Sequence, residues 1–167
     1  PLREVVRLIS VDERFDDQIP LAGQQINFAY KVDRIDQLQD QTILIVDYKT
    51  GAQDPMPKAV SELQAMPLSR GTIKENVRSF QIPLYFYYFH KQYPNEKLNE
   101  VFYNLRTLEV NPFINAKNDH HPKLIIKVFL NALNFIMEEI FNSAIPFQPD
   151  DSDTRYCATC PFYYMCR

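Results

Sequence analysis

The sequence predicts an α/β domain, a central mixed sheet of about four strands flanked by helices with a cysteine-anchored tail. Three observations predict it. Three β-rich runs come first, separated by short polar turns. Two segments of helical period follow, with a further strand pattern between them. The chain then ends in three cysteines held within its last residues, Cys157, Cys160 and Cys166.

Residues 3–15 open the chain with Val5, Val6, Leu8, Ile9 and Val11, a β-rich run read as the first strand. Over residues 25–36, Ile26, Phe28, Tyr30 and Val32 alternate with Asn27, Ala29, Lys31 and Asp33, the pattern of a half-buried strand. Gln37 to Gln41 is a polar turn, and residues 42–49 form a third, almost wholly apolar strand expected at the centre of the sheet. Sequential strands joined this closely imply an antiparallel meander. Residues 51–76 turn to Pro, Lys, Ser and Gly and read as a surface loop region with one short helix near Lys58 to Ala65. Ser79 then caps a helix running to about Gln92, with Pro83 in its first turn, where a missing N–H does little harm. Lys97 to Leu108 reads as a fourth strand through Val101, Tyr103 and Leu105. Between 122 and 144, Ile125, Val128, Phe129, Ala132, Leu133, Ile136 and Ile140 recur at helical period. Residues 146–167 form the cysteine-rich tail.

At 167 residues, 46% hydrophobic and 13% aromatic, the chain has the material for one domain with its own core. A net charge of −3 excludes a chain that coats nucleic acid by bulk electrostatics, but not one that meets it locally around an acidic metal site. No stretch approaches the roughly 20 apolar residues that span a bilayer, and no basic-then-apolar leader is present. The expectation is a cytoplasmic protein with no membrane partner. Because Pro1 stands where an initiator Met would and the pattern begins at once, the domain is expected to be the C-terminal fragment of a longer protein.

The chemistry concentrates at strand ends. Asp47-Tyr48-Lys49-Thr50-Gly51 follows Thr42-Ile43-Leu44-Ile45-Val46, and strand alternation puts Asp47 and Lys49 on one face. The carboxylate can hold a divalent cation, while the ammonium can stabilise negative charge developing on a phosphate. Asp33, in Val32-Asp33-Arg34-Ile35-Asp36, offers a second acid. Two acids and a lysine on adjacent strand ends suit phosphodiester hydrolysis with Mg²⁺. The bland alternatives are a polar strand exit for Asp47 and Lys49 and a surface ion pair for Asp33. Asp36, three positions on, belongs at the strand end or turn and would face the other way if the strand continued. Gln81 and Tyr85 lie four apart on one helix face, where an amide and a phenol can support the site or contact DNA; Tyr85 equally suits an aromatic core stripe with Phe86, Tyr88 and Phe89. An odd count of closely spaced thiols is unlike a secreted disulfide framework and suits a metal or cluster lacking one ligand. His90, His120 or His121 could complete it, as could a cysteine outside the chain; His120 and His121 sit in a polar loop and read as solvated.

Taken together, these segments resemble the PD-(D/E)XK nuclease superfamily, and more closely its RecB-like domains with a C-terminal iron–sulfur motif, as in the AddB-type helicase-nuclease subunit or CRISPR-adaptation nucleases. Tyr30-Lys31-Val32-Asp33-Arg34-Ile35-Asp36 is similar to the family's G-x-(I/V)-D-R-(I/V)-D, Asp47 to Gly51 to its D-Y-K-T-G, Gln81-x₃-Tyr85 to its Q-x₃-Y, and Cys157, Cys160 and Cys166 to its last three cluster ligands. The resemblance implies a restriction-endonuclease-like core and a Mg²⁺- or Mn²⁺-dependent deoxyribonuclease of exonuclease type. It implies Asp33 and Asp47 as metal ligands, Lys49 as the catalytic lysine, and a [4Fe–4S] cluster clamping the domain's ends. It also implies single-stranded DNA or strand ends as substrate, a helicase domain or subunit as partner, and a role in DNA repair or recombination. The family's first cysteine and its upstream histidine have no counterpart here, and Tyr30 replaces its glycine, so the isolated fragment is expected to be weakly active or inactive. Two other classes remain beside the nuclease. One is a non-catalytic DNA-binding module that guides a strand, and the other is a metal-stapled interaction domain.

Overall fold

The structure, a computed structural model, describes residues 4–51, 56–115, 122–146, 148 and 157–165. Five strands form one mixed sheet in the order β1 (Val5–Leu21), β2 (Gln24–Leu38), β3 (Ile43–Lys49), β4 (Leu98–Asn104), β5 (Val110–Pro112). β1, β2 and β3 are successive antiparallel neighbours, β4 is parallel to β3, and β5 returns antiparallel to β4. The apolar run of β3 is central, and residues 43–47 are all buried, as expected of a strand covered on both faces.

β1 is longer than its sequence pattern suggested, because Asp16, Asp17 and Pro20 interrupt the hydrophobic signal without ending the ladder. As an edge strand, β1 tolerates Pro20, whose missing N–H costs an edge nothing. Ala22 and Gly23 both have positive φ and close the β1–β2 hairpin in the manner of a two-residue primed turn. Two register shifts near the start of β1 bend it. The hairpin tip docks on a helix, where Ala22 N donates to Asn134 Oδ1 at 2.7 Å.

The crossover from β3 to β4 carries three helices, α1 (Val60–Ala65), α2 (Arg70–Asn76) and α3 (Gln81–Gln92). α1 is the short helix expected near Lys58 to Ala65, while α2 and the burial of both correct the rest of the 51–76 surface-loop reading. Val60, Leu63, Ile73 and Val77 are buried in the main core. Pro and Gly obscured the helical signal, but a capping box marks α2: Ser69 Oγ accepts from Thr72 N at 3.2 Å, and Ser69 N donates to Thr72 Oγ1 at 3.0 Å. In α3 the cap position is Phe80 rather than Ser79, although Ser79 Oγ still accepts from Gln81 N at 3.2 Å. The last helix, α4 (Pro122–Phe141), buries Ile125, Val128, Phe129, Ala132 and Leu133, five positions of its expected stripe. Ile140 belongs to the same period but is exposed.

The helices cover one face of the sheet, where Ile35, Ile43, Ile45 and Phe102 pack with residues of α1, α2, α3 and α4. Leu38, Leu44, Val46 and Val101 form a separate cluster on the opposite face. Fully burying each such aliphatic side chain stabilises by roughly 1.5–3 kcal/mol, so these clusters fix which strand face each polar neighbour must occupy. No described helix is long and apolar enough to cross a membrane.

Candidate active site

Alternation and register decide where the acids go. In β3, Ile43, Ile45, Asp47 and Lys49 share the helix-covered face, and the parallel register sets Ile45 beside Glu100, Asp47 beside Phe102 and Lys49 beside Asn104. On the other side, Ile35 pairs with Ile45 and Arg34 with Val46, where the β2–β3 ladder ends. Asp33 follows inside β2, bonded to the exit of β3 and near enough to Asp47 to raise its carboxyl, so Asp33, Asp47 and Lys49 lie in one neighbourhood.

Side chains from α3 close the set. Lys49 Nζ lies 2.9 Å from Asp47 Oδ2 and donates to Gln81 Oε1 at 3.2 Å. Gln81 Nε2 donates to Asp47 Oδ1 at 2.5 Å and to Tyr85 Oη at 3.2 Å. Tyr85 Oη donates in turn to the Lys31 carbonyl at 2.7 Å. This chain of bonds fixes the orientation of the Gln81 amide, because reversing it would set a carbonyl against the Asp47 carboxylate. Asp33 Oδ2 accepts from the Tyr48 backbone N–H at 2.7 Å, which ties β2 to the exit of β3. Tyr85 proves to be both things the sequence offered, a buried member of the core and a polar contact of the acid set.

The electrostatics are those of a desolvated acid beside one cation. Asp47 is buried, and burial pushes its carboxyl above the usual carboxylate range; the nearby Asp33 adds to this, while Lys49 and Gln81 oppose it. Asp47 Oδ2 has the Lys49 ammonium close by yet accepts no hydrogen bond in good geometry. Lys49 also sits 4.9 Å from the centre of the Phe102 ring, a cation–π contact that holds its stem against β4. A carboxylate oxygen held only by an ammonium, near a second acid, is a donor set that fits a hard divalent cation. Among the described residues, no three His, Cys, Asp or Glu side chains converge on one point, so the acids form an open row rather than a closed cage.

Several residues depart from the sequence reading. Asp36 is no strand-end residue. β2 continues past it, and it is fully buried on the opposite face, where Arg34 Nε reaches its two oxygens at 2.9 and 2.8 Å. Tyr30, at the family's glycine position, stacks on Tyr88 at 4.5 Å and on Phe15 at 5.2 Å, so the position serves aromatic packing under the β1–β2 hairpin. Glu100 and Phe102 were missed. The signal was their shared parity with Leu98, whereas the reading had followed Val101, Tyr103 and Leu105 on the other parity.

In the tail, Cys157 and Cys160 are free and half-buried, in a turn closed by Cys160 N donating to the Cys157 carbonyl at 3.2 Å. Cys166, His120 and His121 lie outside the described residues. His90 is on α3, lining a cavity with Tyr87, Lys91 and Lys127. A cavity of about 360 Å³ lined by Arg70, Lys74, Phe80 and Ile136 shares no residue with the acid row.

Among solved structures, one titled "Crystal structure of SSO0001" matches with a TM-score of 0.44 and 13% sequence identity, covering 94% of this chain and 59% of that one. The chain thus spans less than two thirds of the length of that structure. No curated protein matches the sequence. A family model described as the PD-(D/E)XK nuclease superfamily matches residues 2–167, and the chain belongs to that superfamily.

Proposed function

We propose that the protein is a divalent-metal-dependent deoxyribonuclease of exonuclease type, acting on single-stranded DNA or strand ends as the nuclease module of a repair or recombination enzyme with a helicase domain or subunit. Asp47 carries the reading. It is a buried acid with one oxygen gripped by Gln81 and the other left without a hydrogen bond beside an ammonium, with a second acid, Asp33, near enough to raise its carboxyl. A purely structural aspartate would be expected to satisfy both oxygens.

In this reading Asp33 and Asp47 hold Mg²⁺ or Mn²⁺, which when bound supplies charge neutralisation and a more acidic water. Lys49 stands where negative charge grows on the scissile phosphate and stabilises it. Gln81 keeps Asp47 and Lys49 in fixed relation, and Tyr85 anchors the Gln81 amide to the backbone of β2. Cys157, Cys160 and Cys166 are assigned to a [4Fe–4S] clamp in the full-length protein. The two free, half-buried thiols in one tight turn support that assignment. The setting proposed is cytoplasmic.

The test is cleavage of end-labelled single-stranded DNA by anaerobically purified protein with Mg²⁺ or Mn²⁺, beside Lys49→Ala. Cleavage that disappears in the variant supports the nuclease. DNA binding without cleavage by the wild-type protein would overturn it in favour of a non-catalytic strand-guiding module.

A further inference from the structure

Glu100 is the acid that the set above leaves unused. It lies in β4 beside Ile45 and one row below Phe102, on the face that carries Asp47 and Lys49. It is fully buried, and neither carboxyl oxygen has a hydrogen-bond partner among the described residues. Its in-row neighbours Ile35 and Ile45 are apolar and equally buried. An acid in such a position opposes folding, and a leucine or methionine would fill the space better. Burial pushes its carboxyl well above the usual range, Asp47 adds to that, and Lys49 opposes it, so Glu100 feels the site's charges.

The geometry also limits what Glu100 can do. Adjacent strands and a two-residue offset separate its Cα from that of Asp47 by roughly 8 Å, a diagonal that long side chains can bridge. The acids do not converge on one point among the described residues. A small hard cation held by one or two carboxylates keeps several of its waters, and those waters need acceptors. Glu100 sets two carboxyl oxygens without hydrogen-bond partners among the described residues diagonally behind Asp47, where a cation's waters would supply partners and favour its ionised form.

We propose that Glu100 is an outer-sphere ligand of the divalent cation, accepting hydrogen bonds from the ion's retained waters and so positioning the ion against Asp47. The proposal rests on the metal-dependent reading above. It makes Glu100 a positioning residue, whose place in the chain is explained by cation binding rather than by folding.

The measurement is Mn²⁺ affinity by titration of the free-ion EPR signal, together with metal-free melting temperature, for the wild-type protein, Glu100→Gln, Glu100→Met and Asp47→Asn. The expected result is Mn²⁺ binding about 10- to 100-fold weaker in both Glu100 variants, the loss typical of an outer-shell partner, with metal-free melting temperatures equal to or above wild type. Wild-type Mn²⁺ affinity in both Glu100 variants, with binding lost in Asp47→Asn, would overturn the role of Glu100 and leave the two-aspartate site standing. Lower metal-free melting temperatures in both, without loss of affinity, would make Glu100 a structural acid and also overturn it. A wild-type protein that binds no Mn²⁺ would overturn this proposal and the metal-dependent reading together.

Discussion

Two aspartates buried on opposite faces of the same sheet show how differently one side chain can be used. Asp36 is fully enclosed, and the guanidinium of Arg34 reaches both of its oxygens, with Tyr48 Oη a further 3.5 Å contact of the arginine. Asp47 is almost as enclosed, yet one oxygen lacks a hydrogen bond, its cation is the compact ammonium of Lys49, and a second acid, Asp33, is near enough to raise it. A planar guanidinium closes a carboxylate on two sides, whereas an ammonium leaves part of it open. The satisfied acid is scaffold. In the proposed reading the incompletely satisfied one, backed by a Glu100 carboxyl with no hydrogen-bond partner among the described residues, is where a cation and substrate bind.

The sharpest way to break this contrast is to neutralise each aspartate in turn. Asp47→Asn is expected to lower metal-dependent DNA cleavage by about 10³-fold, the scale on which removal of one preorganised charge group acts. Its thermal stability should stay equal to or above wild type, because the substitution removes a buried charge. The paired measurements are cleavage of end-labelled DNA and a melting curve. Asp36→Asn should do the reverse, losing about 2 kcal/mol in urea denaturation as Arg34 is left half-paired, while cleavage stays within about twofold at a temperature where the variant is folded. Equal cleavage defects in the two variants would erase the distinction drawn here.

Smaller effects sharpen the comparison. Gln81→Ala should weaken cleavage about 10-fold, mostly in kcat, because Asp47 and Lys49 lose their shared clamp without losing their charges; steady-state kinetics on a short single strand would read this directly. Away from the site, Tyr88 keeps a buried hydroxyl with no hydrogen-bond partner among the described residues, and burial pushes its phenol upward. Tyr88→Phe is therefore expected to cost less than about 0.5 kcal/mol, and to lessen the stability lost above pH 10, where the unfolded state releases the phenolic proton and the folded state does not. The smallest effect concerns Asp17, which Lys91 contacts at 2.7 Å and holds below the ordinary carboxylate range. A lowered native value contributes stability that is present above the unfolded value and fades as pH falls through the native one. Asp17→Asn should thus remove only a few tenths of a kcal/mol at pH 7 and make the acid limb slightly shallower, since the pair is largely exposed. Denaturation curves at pH 3 and pH 7 would show it.

Much of this was legible because it is local. Alternation in β3 placed Asp47 and Lys49 on one face, and the four-residue spacing placed Gln81 and Tyr85 on one helix face. The stripe on α4 was equally plain. What failed to show were features whose signal another composition cue masked. Prolines and glycine hid the helix α2, although Ser69 and Thr72 carried a capping box. The short β5 offered three residues around a proline, too little pattern to register, and it exists because it can pair with β4.

The sequence by itself determined that Asp47 and Lys49 share a face at the end of β3, that Gln81 and Tyr85 share a helix face, and the apolar run that makes β3 central, because each depends on periodicities of two or about four residues. Only the tertiary structure decided that Asp36 is sealed and Asp47 is not, that Gln81 spans Asp47 and Lys49, and that Glu100 stands behind them. Those facts depend on which side chains arrive from strands and helices many residues away. Burial and hydrogen-bond satisfaction are properties of the packed surroundings, and no local pattern contains them.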